Sequence, residues 1–252
     1  MMLLTLAGRE LRSLFLSPLA WTILAVVQLL LGYLFLGQVD FYLQLLPRLA
    51  SLEGAPGLTQ MVVAPLFGNA AIVLLLVIPL LTMRLVADER RNRTLSLLLS
   101  APLSMSEIIL GKFLGVMGFL AVMLGLICLM PLSLLLGGSL DWGVLFSGLL
   151  GLSLLLGAFA AAGLFFSTLT SQPAAAAVAS FGLLLLLWVL DWAGNSLEGT
   201  GRSVLSYLSL LRHYEALLEG VFKTSDVVYY LLFIVAFLVL GIRRLDNDRL
   251  QH

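Results

Sequence analysis

The sequence predicts an all-α membrane protein with six transmembrane helices, and three observations carry that reading. Hydrophobic residues make up 61% of the 252 residues and charged residues only 11%. A soluble domain has roughly 45–50% and about 25%. Mean hydropathy is +1.08. The charges are also clustered, and several gaps between them are long enough to cross a bilayer. A soluble fold of this length cannot hide so much apolar surface, so a cytosolic enzyme and a disordered scaffold are excluded. The 14 basic and 14 acidic residues cancel, which leaves no bulk attraction to nucleic acid. The one cysteine, Cys128, lies in an apolar run and makes neither an internal disulfide nor a cysteine metal site.

The elements follow in chain order within one domain, 1–252. Residues 1–17 read as an interfacial helix. Leu3, Leu4, Ala7, Leu11, Leu14 and Phe15 share one face, with Thr5, Arg9 and Arg12 elsewhere, the pattern of a helix lying in the membrane plane. The apolar run after Arg12 is too long for a cleaved signal. A hydrocarbon core about 30 Å thick needs roughly 20 apolar residues of helix, and the gaps between charges place spans at 19–37, 66–86 and 113–137. The gap from Asp141 to Asp191 is about twice as long and is broken at Thr170-Ser171-Gln172-Pro173. Proline suits the first turn of a new helix, so spans four and five fall at 142–169 and 174–192. The sixth lies at 227–242. Pro47, Gly54, Pro56, Gly57 and Pro65 predict a short helix over about 40–52 and then a loop. Residues 193–226 read as short outer helices before the last span. Glycines such as Gly111, Gly115, Gly118, Gly125, Gly148, Gly151, Gly157 and Gly163 let helices approach closely.

Charge sets the orientation. With the N-terminus inside, the inner segments hold ten basic residues: Arg9, Arg12, Arg84, Arg90, Arg91, Arg93, Lys112, Arg243, Arg244 and Arg249. The outer segments hold four: Arg48, Arg202, Arg212 and Lys223. That bias follows the positive-inside rule and puts both termini in the cytoplasm.

The inner segment 87–112 is more than a loop. It opens with Asp88-Glu89-Arg90-Arg91, runs through Leu95, Leu97, Leu98 and Leu99, and breaks at Pro102. Ser104 and Glu107 then have the spacing of a capping box. A helix, a sharp turn and a second helix result, with a leucine stripe suited to docking on a membrane surface or a partner.

Several chemistries are absent. Gly111-Lys112 is followed by Phe113, and no phosphate loop precedes it, so the chain does not bind ATP by that device. Asp88-Glu89 with Arg93 resembles the acidic-arginine pattern of intramembrane CAAX-type proteases, which need additional intramembrane histidines. This chain has only His213 and the terminal His252. A serine–histidine hydrolase would need a buried serine near His213, with Ser153 and Ser180 candidates by residue type alone. The spans hold almost no ionisable groups, which argues against a proton- or sodium-coupled carrier.

The segment Glu89-Arg90-Arg91, Thr94-Leu95, Leu97-Leu98-Leu99 and Pro102, followed by Glu107-Ile108-Ile109-Leu110-Gly111-Lys112, resembles the coupling region of ABC-2 type transporter permeases. Arg212-His213-Tyr214-Glu215-Ala216, with Gly220-Val221 and Asp226-Val227-Val228-Tyr229-Tyr230, is similar to the subgroup of gliding-motility-associated permeases. Two positions depart from the pattern: Arg93 stands where a glycine is usual, and Ser96 where an acidic residue is usual. The resemblance implies a non-enzymatic permease subunit of the bacterial plasma membrane. It implies pairing with a second copy and with two cytoplasmic ATPase subunits, which would hold ATP and magnesium; this chain would hold no cofactor or metal. Glu89, Arg90, Arg91, Arg93, Thr94 and Glu107 would then serve ATPase coupling, with Leu95 and Leu98 filling a groove of the ATPase and Pro102 closing the turn. The substrate path would lie at the dimer interface, lined by spans two and five, and an outer accessory protein is a further partner. Two other readings stay open: a membrane scaffold that recruits a cytoplasmic protein, and an intramembrane hydrolase using Glu89, Arg93 or His213.

Overall fold

A computed structural model describes residues 2–49, 57–94, 104–137, 139–195 and 207–250. Among the described residues there is no strand, and six helices are long and apolar enough to cross a membrane. The fold class therefore stands as predicted. Leu95, Leu98 and Pro102 lie outside the described residues, as does most of the turn-rich stretch after Asn195.

The helices are α1 (Met2–Leu16), α2 (Pro18–Leu49), α3 (Ala64–Thr82), α4 (Ala87–Arg91), α5 (Met105–Ser133), α6 (Trp142–Leu169), α7 (Pro173–Asn195), α8 (Leu210–Leu218) and α9 (Thr224–Leu250). A π-helical turn, Thr59–Val63, leads into α3. Local chemistry sets several boundaries. Ser104 Oγ accepts from the Glu107 backbone N–H, and Glu107 reaches back to the Ser104 N–H at 3.0 Å, so the capping box is formed. Asp141 caps α6 by accepting from the Gly143 and Val144 N–H groups. Pro173 opens α7, where a missing N–H costs nothing.

One expectation is corrected. The short separate helix over about 40–52 does not exist as a unit, because α2 runs unbroken from Pro18 to Leu49. Polar residues at Gln38 and Asp40 mark where a chain leaves hydrocarbon, but a helix satisfies its own backbone and need not end there. Gln44 Nε2 donates to Asp40 Oδ2 at 2.8 Å, one turn away. Pro47 sits inside this helix, and only its last residues follow.

α6 is the central helix. It is apolar all round and its middle is buried, from Leu155 to Leu164. α3, α5, α7, α8 and α9 all pack on it. Gly163 lies against Thr82 of α3, and a Cβ there would fall 2.0 Å from Thr82 Oγ1. Gly111, Gly115 and Gly118 of α5 form the groove that takes α1: they face Leu6, Glu10 with the Ala7 carbonyl, and Leu11. Gly125 has no neighbour within 4 Å, so it does not serve a close approach within this chain. On α1, Leu4 is exposed and Leu6 takes the inward place. Large apolar side chains of α2 and α9 stay exposed, including Leu29, Tyr33, Leu36 and Leu232, as expected where lipid is the solvent.

Candidate functional site

The site is built around α4, a five-residue helix between the second and third apolar helices. So short a helix has little stability of its own, and its neighbours hold it. Ser167, near the end of α6, supplies the start. Its hydroxyl accepts from the backbone N–H groups of Val86 and Ala87, each at 3.0 Å, and donates to the Met83 carbonyl at 2.9 Å. One donor and two acceptor positions are thereby all used. Asp88 and Glu89 occupy the first turn and Arg90 and Arg91 the last, the arrangement that suits the helix dipole.

The far end closes in a Schellman motif. The Thr94 N–H donates to the Glu89 carbonyl at 2.9 Å, and the Arg93 N–H to the Arg90 carbonyl at 3.2 Å. Arg93 carries the left-handed residue of that motif, with φ 57°.

Two adjacent side chains of α4 point to different partners. Glu89 Oε1 accepts from Lys112 Nζ at 2.7 Å, and the same ammonium donates to Glu10 Oε1 at 2.8 Å. The Lys112 side chain is 1% exposed. An ammonium that deep persists only when paired, and here two carboxylates from α1 and α4 meet it on α5. Arg90 turns the other way. It donates to the Thr168 carbonyl at 2.8 Å and pairs with Asp248 of α9. Arg244 lies 3.5 Å from the same carboxylate. Arg84, Arg91 and Arg93 are exposed and, with Asp88, line a cleft that reaches Gln172 and Pro173. Glu107 stays at the cap of α5. Arg9 and Arg12 on α1 are exposed.

At the opposite end of the bundle, α8 divides the residues of the outer motif. Arg212 and Glu215 are exposed, while His213 and Tyr214 are buried. His213 Nδ1 lies 2.8 Å from Asp226 Oδ1 and Nε2 lies 2.9 Å from the Tyr207 carbonyl. A carbonyl only accepts, so Nε2 carries a proton, and a second proton joins the ring to Asp226. The ring stacks on Tyr229, with centroids 4.1 Å apart. Tyr214 donates to the Phe67 carbonyl at 2.9 Å, and burial raises its phenol well above its ordinary value. Gly220, with φ 81°, closes α8 in a second Schellman motif.

Among the described residues, the side chains proposed for hydrolase chemistry are engaged with other partners. Both ring nitrogens of His213 are engaged, and neither partner is a serine. Ser153 and Ser180 each donate to a carbonyl of their own helix. Glu89 is held by Lys112. No group of three or more metal-ligating side chains exists among the described residues.

Sequence reasoning did not assign Glu10, Ser167, Arg244 or Asp248 to the α4 site, and it carried Lys112 only as the end of the coupling motif. Lys112 gave the clearest signal, a lone charge at the head of an apolar helix. Nothing in the spacing paired it with Glu10, because that contact exists only once α1 lies in the glycine groove.

Fold and site together define a multi-pass helical membrane protein with a polar helix at the turn between its second and third spans. A family model described as ABC-2 family transporter protein matches residues 4–250, nearly the whole chain. The chain belongs to the ABC-2 transporter family. A comparison with curated proteins returned no match.

Proposed function

We propose that this chain is the permease subunit of an ATP-driven exporter, acting as a second-copy dimer with two cytoplasmic ATPase subunits in a bacterial plasma membrane. The observation that carries the reading is α4: a short polar helix, exposed at Arg91 and Arg93, yet tied by Glu89 and Arg90 to α1, α5, α6 and α9. Such an element can receive a push from a protein outside and pass it to the membrane helices. ATP and magnesium belong to the ATPase, whose closure would move α4. Family membership supports an ATPase partner in general. Charge bias supports the inside placement of α4 and both termini.

The dimer face assigned by analogy is the pair α3 and α7, which are neighbours. Ile72, Leu76 and Leu80 on one and Val178, Leu185 and Leu186 on the other are exposed, so an apolar face is available for a second copy. A path without charge suits a lipidic or amphipathic substrate, or force transmitted to an outer protein. The likeness to gliding-motility permeases rests on the outer motif around His213 and carries no more than that.

The test is purification of tagged protein in mild detergent followed by an ATP hydrolysis assay. An ATPase that co-purifies with the wild type and is lost with Arg91→Ala plus Arg93→Ala supports the reading. A folded protein that brings down no ATPase favours the scaffold.

A further inference from the structure

The ion pairs of α4 divide the bundle. α1 packs more extensively on α5 than on any other helix, and α9 packs more extensively on α6 than on any other. Contacts between α5 and α6, or between α5 and α9, are fewer. Glu89 and Arg90 are consecutive, so their side chains leave the helix about 100° apart, the rotation implied by 3.6 residues per turn. Glu89 reaches the α1–α5 pair through Lys112 and Glu10. Arg90 reaches the α6–α9 pair through Thr168 and Asp248.

We infer that Lys112 and Asp248 are positioning residues of two separate branches, through which movement of α4 is delivered independently to the α1–α5 pair and to the α6–α9 pair. The inference rests on the reading of α4 as the element an ATPase moves. Its structural basis is the juxtaposition of two ion clusters, one centred on the buried Lys112 and one partly buried at Asp248, on neighbouring residues of one five-residue helix. Lys112 is the stronger anchor, being almost fully buried and bonded to both carboxylates. Its branch also has the tighter seat. At Gly115 a Cβ would lie 2.6 Å from Glu10 Cβ and 3.1 Å from the Ala7 carbonyl, so α1 and α5 are in close contact at the level of the Glu10–Lys112 pair. In the other branch Asp248 receives Arg90 and Arg244 together, which ties α4 to the last turns of α9.

Hydrogen exchange of the purified chain in lipid nanodiscs tests the division without any ATPase. Glu10→Gln, close in shape, is expected to raise exchange in residues 2–16 about tenfold, the factor that goes with losing a charge-assisted hydrogen bond. It should leave residues 240–250 unchanged. Asp248→Asn should do the reverse. Lys112→Met should free α1 more than Glu10→Gln does, and Lys112→Arg should restore protection. Variants that loosen both segments, or neither, overturn the proposal.

The second arm uses the chain with its co-purified ATPase, compared nucleotide-free and after trapping with ATP and vanadate. In the wild type, trapping should change exchange in both segments. In Glu10→Gln it should change only 240–250, and in Asp248→Asn only 2–16. A purely structural role would not make the nucleotide response branch by branch, and equal responses in both variants contradict the proposal. If no ATPase co-purifies with the wild type, the functional reading fails, while the first arm still decides whether the two branches exist.

Discussion

Arg93 is a residue in a place that glycine usually takes. Its φ of 57° costs a side-chain-bearing residue roughly 1–2 kcal/mol, and the Schellman motif requires it. Arg93→Gly should therefore be more stable than Arg93→Ala by about 1 kcal/mol, measured by thermal unfolding in detergent. Comparing the two variants removes the arginine side chain from both. The departure from the family pattern at this position was legible in the sequence, and its meaning was not, because a glycine's role there is a backbone angle. His213 and Asp226 make a second case. Each is 8% exposed at its side chain, so His213→Ala leaves a buried carboxyl without its partner. A loss of about 3 kcal/mol is expected, and His213→Ala with Asp226→Asn should recover part of it in a double-mutant cycle. Tyr214→Phe should cost about 1 kcal/mol, the usual worth of one hydrogen bond. A chain in which His213 was a catalytic base would lose activity and keep its stability, the opposite pattern.

At the scale of elements, glycine contacts decide which helices can touch. Gly163→Ala drives a methyl into Thr82 and should cost about 1–3 kcal/mol, partly relieved by Thr82→Ala. The same substitution at Gly125, which has open space around it, should change stability by less than about 0.5 kcal/mol. Unfolding midpoints of the two variants check this directly. The six spans and the amphipathic first helix were readable because lipid imposes length and composition on every span. The capping box was readable for a different reason: its two side chains act within one turn. The end of α2 was not, since leaving hydrocarbon changes composition without ending a helix. Nor was the α4 site. Its partners stand 23 residues apart for Glu89 and Lys112 and 158 apart for Arg90 and Asp248, and no local pattern spans such separations.

For the whole molecule, the α1 groove, the first turns of α5, the last turns of α6 and the last turns of α9 gather around α4, and α8 occupies the other end with the first turns of α9. Both ends of the described chain thus meet at α4. The charge bias assigns that end to the cytoplasm, so a cysteine placed at position 91 in a Cys128→Ala background should react with a membrane-impermeant maleimide only in inverted vesicles. A cysteine at position 219, exposed at the C-terminal cap of α8, should react from outside intact cells. The reverse labelling would invert the whole account.

The most direct test of the central claim, that α4 receives an ATPase, is photo-crosslinking from position 91 in living cells. A photoreactive amino acid replaces Arg91, which is exposed at the end of α4. The account predicts one major crosslinked protein, an ABC-type ATPase, captured from position 91 and absent from a control at position 219. Capture of only lipid at position 91, or of a protein without an ATP site, would contradict it.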